Sequence, residues 1–318
     1  MITTDFLVKT QLVSRIRDKM TIIDVHHHFF SSATIASMEK IFGSEMKENF
    51  KKFQPKRYKI MMDLKSPEER ALQLIDNMKE NGINVILPMA FVFDEEGSFE
   101  VHKKFPQYFP GVVPFLDPHH HKDPEILEQW VKRGAVSVKL YPGGWPKLTL
   151  SSPELLPYFK KMSELHLNPI IHVGVMKGGN TGSMWPVNPM ELKPWLTNKD
   201  LKDIKFILAH FGAGYLREIF MIAYSHGKRI FIDTSGSNDW IDWSPWMSLT
   251  QVFEKSIKAL GTSNILFGTD SNIEMLRSDV IIRQQGILQD LITRKIISQE
   301  DREKILFENC KNLFNLSL

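Results

Sequence analysis

The chain has 318 residues, of which 42% are hydrophobic and 24% charged, the balance of a soluble globular protein with a sizeable core. Its 40 Lys and Arg against 37 Asp and Glu leave a net charge of +3, which gives no argument for nucleic acid or an anionic membrane as partner. Cys310 is the one cysteine, so an intrachain disulfide is excluded. With no apolar leader-like run near Met1 and no apolar stretch long enough to span a bilayer, a reducing cytoplasm is the expected compartment.

Met1–Met20 is a polar preface, read as a helix or strand covering the bottom of the fold. Short apolar runs then mark strands at Thr21–His28, Ile83–Phe91, Val112–Asp117, Val136–Tyr141, Pro169–Gly174, Lys205–Gly212, Arg229–Ser235 and Asn264–Asp270. Amphipathic helices are expected between them at Pro67–Asn81, Pro124–Arg133, Pro153–His166, Tyr215–His226, Leu249–Leu260 and Ser278–Ile292, with less regular links at Ser98–Phe105 and Lys199–Ile204. Strands alternating with helical crossovers predict an α/β protein whose parallel sheet closes into a (β/α)8 TIM barrel over residues 21–292. Residues 29–64, rich in Lys and Phe, are too long for a plain connection and follow the first strand, over the mouth of such a barrel; they are a candidate lid. Residues 298–318 read as a terminal helix docked on the outside. No linker marks a second domain, so 1–318 is read as one unit.

Five residues of metal-ligand type sit at strand ends: His26, His28, His172, His210 and Asp270. Imidazole mixed with carboxylate suits borderline metals such as zinc. Strand side chains alternate between faces. With Ile23 and Val25 turned to the helices, Asp24, His26 and His28 face inward and His27 is rejected as a ligand. The same rule turns Ile171 and Val173 out and His172 in. It turns Ser137 and Lys139 inward, groups His210 with Phe206 and Leu208, and groups Asp270 with Leu266 and Gly268. A lone inward histidine is more often a hydrogen-bonded core residue; five candidates at separate strand ends reverse that reading.

Ile23-Asp-Val-His-His-His, His172 in Pro-Ile-Ile-His-Val-Gly, His210 in Leu-Ala-His-Phe-Gly-Ala-Gly, Asp270 in Leu-Phe-Gly-Thr-Asp and the ending that starts at Asp301 together resemble the amidohydrolase superfamily. The nearest branch is the amidohydrolase-related one (amidohydrolase 2, aminocarboxymuconate semialdehyde decarboxylase-like), which holds decarboxylases besides lactone and amide hydrolases. The resemblance runs from about residue 21 to the end. It implies that His26, His28, His172 and Asp270 surround one divalent metal, usually zinc with manganese as the other choice. His210 would be an acid/base or substrate-polarising residue and Asp270 the general base. In two-metal relatives a carboxylated lysine from the fourth strand bridges the ions; Lys139 has that position. Its other reading is an ammonium that pairs with Asp24 or anchors a substrate carboxylate.

Arg277 is a candidate for a substrate carboxylate, against an ion pair with Glu274 or Asp279. Trp145, Trp185, Trp240, Trp243 and Trp246 follow strands and are candidates for an apolar wall, Trp145 and Trp185 foremost, against ordinary loop packing. His119-His120-His121 reads as a solvated loop. Gly143-Gly144 and Gly178-Gly179 lack a phosphate-loop pattern, so no nucleotide site is expected. The function expected is a metal-dependent hydrolase acting on a C–N or C–O bond (amide, lactone or ester) of a small cyclic or aromatic acid. The alternatives are a non-oxidative decarboxylase on the same scaffold and a non-catalytic binding protein. The partner expected is a small-molecule substrate, with a homodimer through the barrel exterior or the 29–64 insertion as a further expectation.

Overall fold

A computed structural model describes residues 20–43, 45–90, 94–175, 186–244 and 247–318. Of the features above, residues 1–19, Gly178-Gly179, Trp185 and Trp246 lie outside the described residues. Eight parallel strands follow one another in chain order: β1 (Ile23–Phe29), β2 (Val85–Ala90), β3 (Phe115–Leu116), β4 (Lys139–Leu140), β5 (Ile170–Ile171), β6 (Phe206–Leu208), β7 (Ile230–Asp233) and β8 (Ile265–Leu266). Bridges from Met89 to Val113 and from His27 to Ser271 join β1 and β2 to the other six on both sides, closing the barrel. The ladder from β8 to β1 includes Val25 N–H to the Phe267 carbonyl at 3.1 Å and His28 N–H to the Ser271 carbonyl at 2.8 Å.

The crossover helices begin and end where local chemistry dictates. The Pro67–Asn81 helix starts from Ser66, whose hydroxyl accepts from Glu69 N–H while the Glu69 side chain accepts from Ser66 N–H, and it stops at Gly82 in the left-handed region. The Leu249–Leu260 helix has the same reciprocal cap from Ser248 and Gln251. Their apolar faces, with those of the other helices, cover the barrel exterior. Leu74, Phe159, Ile219, Phe253 and Leu288 pack there on Ile86, Leu140, Ile171, Leu208, Ile232 and Phe267.

The complementary strand residues fill the lumen. Lys139, Ile170, Ile207 and Phe231 are register neighbours on successive strands and share one face. Ile23, Val25, Val85, Leu87, Ile170, Ile207 and Leu266 pack together there. This corrects three expectations. First, Ile23 and Val25 point into the lumen, and Asp24 pairs in register with the outward Ile86. The register of β1 shifts between Asp24 and His27, a bulge that resets the alternation, so His26 and His28 still face inward. Second, Phe206 and Leu208 face the helices, Phe206 stacking edge-on against Phe159 with centroids 5.8 Å apart. His210 reaches the lumen because the chain leaves the strand, with φ of 59° at His210 and 53° at Phe211.

Third, the terminal segment does not merely dock outside. After a π-helical turn at Lys304–Glu308, Cys310, Leu313, Phe314 and Leu316 join the lumen cluster and plug the end of the barrel opposite the histidines. Asn168 and Asn309 tie it to the loops there, Asn168 Nδ2 donating to the Leu313 carbonyl at 3.3 Å and Asn309 Nδ2 to the Ile265 carbonyl at 2.8 Å.

The insertion after β1 forms three helices, α1 (Ser32–Phe42), α2 (Glu45–Phe53) and α3 (Pro55–Met62). Ile35 and Met38 of α1 and Met61 of α3 pack against Ile273 in the loop after β8, which seats the insertion over the mouth. No helix among the described residues is long and apolar enough to cross a membrane.

Two expected outcomes follow from packing and burial. Phe314→Ala empties a site in the barrel plug and should cost about 3 kcal/mol in urea unfolding. Burial, with the neighbouring Asp94 and Glu96, raises the Glu95 carboxyl to about 7. Between its unfolded value and about 7 the folded chain holds a proton the unfolded chain has lost, so stability falls as pH rises through that window. Glu95→Gln should therefore be more stable than the parent at pH 8, by on the order of 1–3 kcal/mol, with the gap closing at pH 4.

Candidate metal centre

The bulge in β1 delivers His26 and His28 side by side, their rings 5.2 Å apart. The loop after β8 brings Asp270, whose backbone sits in the left-handed region at φ 55° and whose N–H donates to the His26 carbonyl at 2.8 Å. Asp270 Oδ1 lies 3.7 Å from His26 Nε2 and 3.4 Å from His28 Nε2. His210 stacks 4.8 Å from His26. His172, from the end of β5, has its Nδ1 3.2 Å from His210 Nε2. That closeness needs Gly174: a Cβ there would stand 2.3 Å from the carbonyl oxygens of Gly212 and Ala213. Gly268 does the same between β1 and β7, where an added Cβ would press the Cβ atoms of His26 and Ser235 at 3.0 Å.

Two buried carboxylates hold this arrangement. Asp233, at the end of β7, takes the His26 Nδ1 proton on Oδ2 at 2.8 Å. Its Oδ1 accepts from His210 N–H at 3.0 Å, from Ser235 N–H at 3.1 Å and from the Ser235 hydroxyl. Asp24, on the outer side of β1, accepts from His26 N–H at 3.1 Å and from Thr269 N–H at 3.0 Å and Oγ1 at 2.5 Å. One carboxylate thus clamps both His26 and the residue before Asp270.

These contacts assign the protons. The Ser235 hydroxyl gives its proton to Asp233, so it accepts from His210 Nδ1 at 2.8 Å, as does the Ser235 carbonyl at 3.3 Å. His210 Nε2 then has a lone pair and accepts from His172 Nδ1. His172 Nε2 is left bare and, among the described residues, without a hydrogen-bond partner although buried. Burial lowers His26 to about 3 and puts His172 well below the ordinary imidazole range, so both rings are neutral. Burial by itself would raise the Asp270 carboxyl, but the hydrogen bond from His28 and the His210 and His26 rings hold it well below the usual carboxylate range.

The donor set asks for a cation. The lone pair of His26 Nε2 faces the ionised Asp270 Oδ1, and ligand atoms of His26, His210 and Asp270 lie within 4.8 Å of one another. The bare His172 Nε2 adds another unmet donor. A divalent metal fits these residues, and the carboxylate behind His26 is the usual outer partner of a metal-binding imidazole. Lys139 now supplies positive charge from below, its Nζ donating to His26 Nε2 at 3.2 Å. Burial lowers that ammonium to about 8. Asp24, already committed to β8, is no partner for it.

Above the donors opens a cavity of about 360 Å³ lined by His172, His210, Asp270, Arg277, Asn238 and Trp243 among others. Arg277 approaches Asp270 Oδ2 at 3.8 Å, in place of the expected pairing with Glu274 or Asp279. Trp145 is not in the lining: it is buried in the helix-facing core. His119 and His120 are exposed and His121 accepts from Asp117 N–H at 3.2 Å, a loop as expected. Asp233 and Ser235 were missed by sequence reasoning, although the alternation that turns Phe231 inward also turns Asp233 inward.

His26→Ala should abolish binding of one divalent metal per chain, measured by plasma mass spectrometry, while His27→Ala keeps it, because His27 faces Asp24 outside the lumen. Asp233→Asn should bind the metal about 10–100-fold more weakly in a chelator competition.

The amidohydrolase family model matches residues 23–316. No curated protein matched the chain. Among solved structures, 5-carboxyvanillate decarboxylase from Sphingomonas paucimobilis superposes with a TM-score of 0.65 at 14% identity, covering 94% of this chain and 100% of its own. A probable 2-pyrone-4,6-dicarboxylic acid hydrolase from Acinetobacter baumannii, solved with citric acid bound, gives 0.61 at 13%, covering 93% and 100%. An amidohydrolase from Burkholderia multivorans with bound zinc gives 0.62 at 12%, again over 93% and 100%. At such identities the likeness carries the (β/α)8 TIM-barrel fold alone, and it is the family match over nearly the whole chain that decides: this protein belongs to the amidohydrolase family.

Proposed function

We propose that the protein is a metal-dependent hydrolase that cleaves a C–N or C–O bond of a small cyclic or aromatic acid. The observation that carries this reading is the gathering of His26, His28 and Asp270, with His210 and the bare His172 Nε2 beside them, at the floor of an open cavity. We assign His26, His28, His172 and Asp270 to hold the ion and zinc as the ion, in keeping with the imidazole–carboxylate donors and the zinc-bound neighbour. A zinc ion bound there supplies Lewis-acid polarisation and a water activated at neutral pH.

The chain's own groups do the rest. Asp270 stays ionised, so its carboxylate accepts a proton from water and returns it to the leaving group. His210 is fixed through Ser235 and Asp233, which aims its ring at the reacting end of a substrate. Asp233 keeps the His26 proton on Nδ1 and so turns the Nε2 lone pair to the site. Lys139 counters the negative charge that builds up beside His26. One observation favours a second reading, non-oxidative decarboxylation: Arg277, 3.8 Å from Asp270, stands where it would hold a reacting carboxylate.

The test is product analysis on zinc-loaded protein offered cyclic amides and lactones bearing an acid group, alongside aromatic carboxylic acids. Ring-opened acid without carbon dioxide supports hydrolysis; carbon dioxide release from the aromatic acids alone would replace it by the second reading. On whichever substrate turns over, Asp270→Asn should stay folded and lose about 10²–10⁴-fold in kcat. Parent-like turnover in that variant would remove Asp270 from the mechanism.

A further inference from the structure

The loop after β8 returns a second polar side chain to the cavity, two residues beyond Asp270. Asn272 lines the cavity and is half-buried, and its carboxamide makes no hydrogen bond among the described residues. Asn238 borders the same cavity, but its amide is engaged within the protein. Its Nδ2 donates to the Thr234 and Gly236 carbonyls at 3.4 and 3.2 Å, and its Oδ1 accepts from Trp240 Nε1 at 3.1 Å. Asn272 therefore keeps both an amide donor and an amide acceptor for a ligand.

The backbone under Asn272 is held firmly. Its carbonyl accepts from Met275 N–H at 3.0 Å across a tight bridge, with Met275 in the left-handed region at φ 74°. The flanking residues Ser271 and Ile273 are buried. Ser271 Oγ accepts from Arg277 N–H at 2.9 Å, and the Ile273 carbonyl accepts from Arg70 Nη2 at 2.6 Å. Two turns beyond Arg70 on the same Pro67–Asn81 helix, Asn77 Oδ1 accepts from Leu276 N–H at 3.1 Å. That helix thus pins the loop on both sides of its turn. A short side chain on so fixed a base loses little further freedom when it meets a ligand.

A carboxamide presents an N–H donor and a C=O acceptor side by side in one plane. Its complement is an amide whose own N–H and C=O share an edge. Open-chain amides are trans and put the two groups on opposite edges, whereas a small ring forces them cis. A lactone or an ionised acid offers acceptors alone and would leave Asn272 Oδ1 facing another oxygen. We propose that Asn272 is a specificity-determining residue that pairs with the edge of a cyclic amide, Nδ2 donating to the ring carbonyl and Oδ1 accepting from the ring N–H. This rests on the hydrolase reading above and narrows it from C–N or C–O bonds to the C–N bond of a lactam-type ring. The ring carbonyl oxygen has a second lone pair, so the contact leaves it open to polarisation from the cavity floor. Asp270 and Asn272 line the same cavity, which puts the gripped edge on the side of the carboxylate that moves protons.

The test uses 6-oxopiperidine-3-carboxylate and its N-methyl derivative as probes, titrated by calorimetry into zinc-loaded protein, with product analysis of the same samples. The parent should bind the N–H probe about fivefold more tightly, the worth of one neutral hydrogen bond. Asn272→Leu, close in size but without donor or acceptor, should lose that preference. Asn272→Asp keeps an acceptor for the ring N–H, so it should weaken both probes and retain the preference. A parent that binds neither probe, or binds the two alike, overturns the inference without any variant. It is also overturned if Asn272→Leu keeps the preference or Asn272→Asp loses it. The two readings fail separately. N–H preference with no ring opening supports the role of Asn272 and counts against hydrolysis alone. Ring opening with the same KM in the parent and in Asn272→Leu supports hydrolysis and removes Asn272 from recognition.

Discussion

The site depends first on the carboxylate of Asp233. It is fully buried, and a buried charge is costly unless it is hydrogen-bonded. Four donors meet it: one oxygen accepts from His26 Nδ1, the other from the backbone of His210 and both donors of Ser235. The proton directions on Ser235, His210 and His172 follow from that. Ser235 turns its lone pairs to His210, His210 turns Nε2 to His172, and His172 is left with a bare nitrogen. A single acid thus sets the tautomers of three histidines on three different strands, and neutral imidazoles with outward lone pairs are the form that binds a cation.

Asp24 does the corresponding work at the closing seam. The barrel must join β8 to β1 where both strands also deliver donors, and neither strand end is regular: β1 is bulged, and Asp270 lies in the left-handed region. Such departures persist only where the surroundings over-determine them. Asp24 supplies that, accepting from His26 N–H and twice from Thr269. The terminal segment, by contrast, plugs the far end by apolar packing.

The mouth itself is made by segments outside the repeating pattern. Three short helices after β1 rest on the loop after β8 and bring Arg57 to the cavity, while the loop after β7 brings Trp243. The donors beneath them come from the strand ends, whereas the walls come from these connections. A barrel in which rigid strand ends present the chemistry and separate connections shape access can change substrate without disturbing the centre.

Much of this was legible in the residues alone. Strand runs alternating with capped amphipathic helices specify a closed parallel sheet because each local preference agrees with the next, and the helices at Pro67–Asn81 and Leu249–Leu260 lie where the sequence put them. The donors were legible because histidines and an aspartate at strand ends are an uncommon, ordered set. Their orientation was not. A period-two rule assumes regular strands, and at Asp24–His27 and at His210 the backbone leaves that regularity, so residues were turned inward for reasons that local pattern does not contain. The role of Asp233, the pairing of Arg277 with Asp270 and the terminal plug likewise join residues far apart in the chain. Local preference and hydrophobic period determined the elements and the kind of chemistry. Only tertiary packing decided which buried carboxylate holds which ring, because a hydrogen bond between distant segments exists only once the barrel has closed.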